Sequence, residues 1–353
     1  MTSKIDSFPG REIVIKGKKF LYFGGTAYFG TQTDREFQNI FITNIKKYGT
    51  GYGASRKSNV QLSIYREAEN YLSNWVGCED CATLSSGYLA GQLICNLFSS
   101  KQYRLFYTPN SHSALYQTNI KPYITYSALN IALRDHLASN TDVIPVILLD
   151  SIDFSGYNYP QFQGLTSLPL DKCILVADDS HGIGQIGPEN SGVFQILARL
   201  KPLDLLICCS LGKALGIDAG AIFGTSTRIK EVLKTDFYAG ASPASPASMA
   251  TLIQAEEIYK SKKGILDFNM VLFLNELNDQ KKFTYIEGFP VFGYSDPELT
   301  KFLLNNSIIV TDFNYPSEDA SLKSRIVLTA SHAEEDIKKL TSLINSFYDK
   351  ELN

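Results

Sequence analysis

The chain is 353 residues long and 44% apolar, enough to bury one large core and a smaller one. A formal net charge of −3 gives no reason to expect nucleic acid or an anionic membrane as partner, since either requires a basic face that this composition does not advertise. No apolar run reaches transmembrane length, the first ten residues lack the apolar centre of a signal peptide, and six cysteines are too few for a disulfide framework, so a cytoplasmic protein is expected.

In chain order, apolar periodicity predicts helices from Asp34 to Lys47 and from Val60 to Val76. Short apolar strands follow near Ala82–Leu84, Arg104–Tyr107, Tyr123–Tyr126, Ile144–Leu149, Ile174–Ala177 and Leu205–Cys208, with helical stretches between most of them. This alternation predicts an α/β fold: a large domain whose mainly parallel sheet is sandwiched by helices. After Pro243 the pattern changes to two helices, Ala247 to Lys262 and Leu266 to Asn278. Short strands near Phe289–Phe292, Ile308–Val310 and Ile326–Leu328 and a closing amphipathic helix complete a smaller α+β C-terminal domain. The stretch from Ala239 to Ala247, rich in Ala, Ser and Pro, reads as the junction. The expected division is an N-terminal arm of residues 1–35 joined to the smaller domain, a large domain of residues 36–238, and the smaller domain proper at 239–353.

Two segments carry chemistry. Asp204 to Gly216 places Lys213 just past an apolar strand, in a Ser/Gly loop where a lysine can lose hydration and become the neutral amine that attacks an aldehyde. Cys173 to His181 is a second strand, and it ends on Asp178 and His181. A carboxylate at a buried strand end needs a charged partner. A lysine for an aldehyde and a carboxylate for a protonated pyridine nitrogen are what pyridoxal phosphate requires. Ser85 to Tyr88 offers a phosphate cradle, because Gly87 opens a helix whose free N–H groups and positive dipole end suit a dianion. An ordinary serine helix cap explains the same residues.

Asp178 to Gly187 and Ser210 to Gly216 resemble the two signature segments of the α-oxoamine synthases, pyridoxal phosphate enzymes of the aspartate aminotransferase fold type. Tyr48 to Arg56, Leu84 to Ala90, Asn110 to Ser113 and Arg325 to Ile337 agree in the same order, so the resemblance runs from about Tyr22 to near the C-terminus. It implies Lys213 as the Schiff-base lysine and Asp178 at the pyridine nitrogen. His112 would stack on the ring and His181 lie near the phenolic oxygen, with Ser86, Gly87, Tyr88 and Ser210 around the phosphate. Arg325 would receive the amino acid carboxylate, and Tyr28 lies in the substrate-binding segment. His136 and His332 have no such match and read as structural. The implied activity is decarboxylating condensation of a small amino acid with an acyl-CoA, in a homodimer. An aminotransferase on the same fold is the alternative, and a non-catalytic partner subunit is the non-enzyme one.

Several positions depart from the family. Ala27 replaces an asparagine, Leu62 and Tyr65 a pair of histidines, Gly212 a serine and Gly240 a threonine, which leaves the cofactor residues intact and changes substrate contacts. Two other patterns lead elsewhere. Gly182-Ile-Gly-Gln-Ile-Gly187 satisfies a dinucleotide-binding pattern, but four polar residues separate it from the strand and Pro188 blocks the helix that would carry a pyrophosphate. Cys78 and Cys81 have CxxC spacing with no second pair or nearby histidines, so no metal is expected.

Overall fold

The computed structural model describes residues 4–111, 113–115, 121–139, 142–154, 156–314 and 322–351. The chain divides into two compact units, one of Met1–Gln38, Ala214–Gly216 and Glu256–Asn353, the other of Asn39–Lys213 and Ile217–Ala255. Two strands that periodicity did not predict come first, β1 (Glu12–Ile15) and β2 (Lys18–Phe23), paired antiparallel. Helix α1 (Arg35–Tyr48) starts where Asp34 Oδ1 accepts the N–H groups of Glu36 and Phe37, a side-chain cap. Helix α2 (Ser63–Val76) follows, burying Ile64, Tyr65, Ala68, Leu72 and Val76 along one stripe.

The sheet of the larger unit is built from β3 (Asp80–Leu84), β4 (Tyr103–Tyr107), β5 (Ile144–Asp150), β6 (Ile174–Asp178), β7 (Asp204–Ser210) and β8 (Gly220–Gly224), with α3 (Gly87–Leu97), α4 (Tyr126–Ser139) and the short α5 (Phe194–Ala198) between strands. Its order is β3-β8-β7-β6-β5-β4. Strands β4 to β7 run parallel, and β8 is antiparallel to both neighbours. Val146, Leu148, Ile174, Val176, Leu206 and Cys208 pack one face into a core with Leu93 and Ile94 of α3 and with Phe98, its C-cap. Ile147, Leu149, Leu175, Ala177 and Ile207 on the opposite face are equally buried. Burial on both faces is why these strands read as unbroken apolar runs rather than alternating ones.

Tyr123–Tyr126 is not a strand. The Thr125 hydroxyl accepts the Ala128 N–H at 3.1 Å and starts α4 at Tyr126, so capping overrides the β-propensity of this aromatic and β-branched run. After β8 come α6 (Ser226–Lys234) and α7 (Asp236–Gly240), capped by the hydroxyls of Thr225 and Thr235, then α8 (Pro246–Gln254). The small-residue stretch read as a junction therefore lies inside the larger unit, which ends at Ala255.

The last segment of the smaller unit opens on helix α9 (Glu256–Glu276), so the expected break near residue 264 falls instead at Ala255. Glu256 and Glu257 suit the positive end of a new helix. Gly264 costs about 1 kcal/mol inside it, offset by the buried Ile258, Tyr259, Leu266, Met270 and Phe273. Strands β9 (Thr284–Tyr285), β10 (Val291–Gly293), β11 (Ile308–Asn314) and β12 (Leu322–Val327) join β1 and β2 in a sheet of order β1-β2-β11-β12-β10-β9. Helices α10 (Pro297–Asn305) and α11 (Glu334–Glu351) complete the unit.

Candidate active site

Parallel strands carry their C-terminal ends to one edge, the usual place for a ligand in an α/β sheet. Register brings Asp150 of β5 opposite Asp178 of β6, and Asp178 opposite Cys208 of β7. Asp178 is buried and its Oδ1 accepts the Ser180 N–H at 2.9 Å. The Ser180 hydroxyl in turn accepts the Ser210 N–H at 2.9 Å, joining the two signature segments. The loop after β7 is closed by Leu211 N–H to Ala219 O and Ile217 N–H to Leu211 O, at 2.9 and 3.1 Å. It presents Lys213 Nζ 3.0 Å from His181 Nε2, and the His181 ring meets Phe154 edge-on. Burial pulls the pKa of the Lys213 amine below its ordinary value, with the carboxylates of Asp178 and Asp150 acting in the opposite sense. An amine held this way is a nucleophile that a surface lysine is not.

The cradle lies beside it. Ser86 caps α3, its hydroxyl accepting the Leu89 N–H at 3.2 Å, and Gly87 is the first helical residue. A Cβ on Gly87 would fall 2.6 Å from the Ser210 backbone, and one on Gly220 would fall 2.1 Å from the Ser86 carbonyl oxygen. The N-terminus of α3 is thus pressed against the end of β7 and the start of β8, where only glycine fits. The Ser210 hydroxyl accepts the Gly212 N–H at 3.3 Å, and Tyr88 is largely exposed. The N–H end of a helix, two serine hydroxyls, a desolvated amine and a strand-end carboxylate form a donor set that fits pyridoxal phosphate: dianion, aldehyde and ring nitrogen each find a counterpart.

The dinucleotide-like pattern has another cause. A Cβ on Gly182 would lie 1.9 Å from Asp179 Oδ1, and one on Gly192 would lie 2.0 Å from Oδ2. The glycines enclose the buried carboxyl of Asp179, which accepts the Ser151 hydroxyl at 2.6 Å and the Val193 N–H at 3.0 Å. Sequence reasoning missed this residue, and missed Asp150 as well, although an acid ending an apolar strand is the signal that found Asp178.

In the smaller unit Arg325 of β12 lies near Tyr28. Burial pulls the Arg325 pKa down with the Tyr28 phenol acting oppositely, and burial raises the pKa of that phenol. His332 is also buried there: its Nε2 donates to Tyr22 O at 2.9 Å, its Nδ1 accepts the Thr329 N–H at 3.0 Å, and burial lowers its pKa to about 4. His136 Nε2 donates to Val143 O at 2.8 Å. Both are packing histidines. His112 lies outside the described residues. Among the departures, Tyr65 is buried with its hydroxyl on Ala244 O at 2.8 Å, whereas a Cβ at Gly212 would meet the Ser210 hydroxyl at 3.5 Å and Ile217 O at 3.6 Å and one at Gly240 nothing within 4 Å among the described residues. Burial pushes the Cys78 thiol up to about 12, so it stays protonated near neutrality.

No family model matches the chain. It is similar to the 8-amino-7-oxononanoate synthase of Vibrio atlanticus, 26% identical over 356 residues that cover 96% of this chain and 86% of the relative. Its fold is that of the serine palmitoyltransferase of S. paucimobilis solved with bound PLP-myriocin, at TM-score 0.81 and 18% identity over 98% of this chain and 91% of that one. It matches the 8-amino-7-oxononanoate synthase of Francisella tularensis at TM-score 0.71 and 18% identity, over 95% and 99%. The chain has the aspartate aminotransferase-like fold of these solved structures, one of which holds PLP, and over nearly its whole length its sequence is similar to that of the Vibrio synthase.

Proposed function

We propose that this protein is a pyridoxal phosphate-dependent acyltransferase that condenses a small amino acid with an acyl-CoA, with loss of carbon dioxide. The observation that carries the reading is the desolvated Lys213 amine 3.0 Å from His181, on the strand edge that also ends in Asp178. Bound there, the cofactor supplies an electron sink for charge developing at the α-carbon of the amino acid. Lys213 Nζ is the covalent anchor and then takes the α-proton. Asp178 supplies the carboxylate that keeps the ring nitrogen protonated. Ser86, Gly87, Tyr88 and Ser210 border the phosphate, and His181 holds a proton donor or acceptor against Lys213. From the resemblance, His112 stacks on the ring and Arg325, with Tyr28 beside it, receives the substrate carboxylate.

In this reading the enzyme works as a homodimer in the cytoplasm. Exposed Val60 and Tyr88 supply apolar surface for a subunit contact, and among the described residues no helix is long and apolar enough to cross a membrane. The relatives above are synthases, which favours condensation over transamination.

The test begins with pyridoxal phosphate added to the purified protein, followed by borohydride and peptide mass spectrometry. The adduct is expected on Lys213 alone, and Lys213→Ala should abolish the visible absorbance while keeping the melting temperature. A small amino acid with an acyl-CoA should then release CoA and carbon dioxide together. An adduct on another lysine removes the reading. Conversion of the cofactor by amino acid alone, reversed by a keto acid and without CoA release, makes the protein an aminotransferase.

A further inference from the structure

Asp178 and Asp179 are adjacent acids that alternate across the sheet, so only one can face the strand-edge site. Asp179 turns the other way. Its N–H donates to Cys208 O at 2.8 Å, prolonging the β6–β7 pairing by one residue. Its carbonyl then accepts the N–H groups of Gly182 and Ile183, both at 3.0 Å, which starts the turn holding His181. Its carboxyl reaches Ser151, the residue after β5, and Val193, where the chain leaves the glycine turn. Two separate stretches thus meet on one side chain, while its backbone holds β7 and the turn.

We propose that Asp179 is a positioning residue for this site, whose carboxyl ties the end of β5 to the return of the chain at Val193 and so fixes His181 against Lys213. The proposal rests on the reading of Lys213 as the cofactor's anchor. The fit is closed on every side, with Gly182 and Gly192 leaving no room for a Cβ. Glutamate would be too long. Asparagine keeps an acceptor for the Ser151 hydroxyl but sets its amide N–H groups against the Val193 N–H, so one buried donor loses its acceptor.

The same geometry makes the contact sensitive to protons. Burial raises the Asp179 carboxyl to about 7; the Ser151 and Val193 bonds oppose the rise and the Asp178 carboxylate adds to it. The thiol of Cys209 on β7 also feels this charge, and His181 stands two residues along the turn. When protonated, the carboxyl must itself donate, while Ser151 and Val193 are both placed as donors. Either the Ser151 hydroxyl turns round or the Val193 bond weakens, and the turn shifts with it.

The measurement is reductive methylation of the cofactor-free protein, with the rate at Lys213 followed by mass spectrometry on both sides of neutrality. Wild-type protein should show an inflection near the Asp179 midpoint. Asp179→Asn should remove it and alter the Lys213 rate by about threefold to tenfold, the worth of one hydrogen bond. Ser151→Ala should move the inflection to higher pH, because the ionised carboxyl loses a donor. An inflection that survives in Asp179→Asn belongs to His181 and overturns the proposal, as does a flat wild-type profile. A lower melting temperature with an unmoved inflection means a packing role only, which also overturns it. Should Asp179→Asn fail to fold, Ser151→Ala alone decides the matter by whether the inflection moves. Failure to form any Lys213 adduct with pyridoxal phosphate would instead remove the cofactor reading and leave this profile standing.

Discussion

Arg56 and Lys213 are both cations taken out of water in the larger unit, and their surroundings treat them in opposite ways. Arg56 donates from its two terminal nitrogens to the Glu69 carboxylate at 2.8 and 3.1 Å and lies 4.2 Å from the centre of the Tyr65 ring. Glu69 is completed by the Thr83 N–H and hydroxyl at 3.0 and 2.9 Å. Burial works against the guanidinium charge, but the Glu69 bonds more than offset it and the pKa ends raised. At Lys213 burial wins over the nearby carboxylates and the pKa falls. A saturated ion pair fixes a loop; an under-compensated amine stays reactive. Where a buried charge is left incompletely paired, chemistry is the explanation to test.

The sharpest way to break this comparison is Asp178→Asn. The fold and cofactor binding should persist while turnover falls by about three powers of ten, because a neutral amide cannot hold the ring nitrogen protonated. Steady-state rates within tenfold of wild type would take Asp178 out of the mechanism. Next in size is Glu69→Ala, which strands the Arg56 charge and should cost on the order of 3–5 kcal/mol in denaturant unfolding. A loss of activity at unchanged stability would mean that the Arg56 cluster belongs to the site after all.

His332 extends the comparison to a group buried without charge. Its unfolded form takes up a proton near pH 6.5 and its folded form only near 4, so between these values the unfolded state binds more protons and stability falls with falling pH. The loss should approach about 3 kcal/mol at the acid end of that window. Melting temperatures of wild type and His332→Asn across the window check it, since an equal slope in both would place the proton uptake elsewhere. The smallest effect is Tyr65→Phe, which removes the bond to Ala244 O and should cost about 1 kcal/mol with no change in amino acid preference. A changed preference would return Tyr65 to the substrate contacts, the role that its departure from the family pattern first suggested.

The strands that carry Asp178 and Lys213 were legible because an unbroken apolar run ends abruptly in polar residues, which marks a doubly covered strand and its edge together. Strand β8 was not, since Gly220 and Gly224 at its ends resemble turn signals although Gly220 is required by the approach of Ser86. Strands β1 and β2 hid behind a lysine-rich turn, and at Tyr123–Tyr126 aromatic content imitated a strand that a threonine cap prevents. In the glycine pattern after His181, Gly182 is required by a carboxyl that sequence could not orient. Which of two adjacent acids faces the site is decided by alternation across the sheet, and that phase is set only once the strand is placed.

The place of β3 in its sheet has a consequence for how the site comes to exist. This strand is made early but pairs with β8, so the cradle after β3 meets Ser210 only when residues up to Gly224 have folded back beside it. A nascent chain that already holds Gly87, Asp178, His181 and Lys213 still has no closed cradle. Under the proposed function, loading with cofactor is then expected late on the folding route, governed by long-range strand pairing and not by the emergence of the lysine from the ribosome.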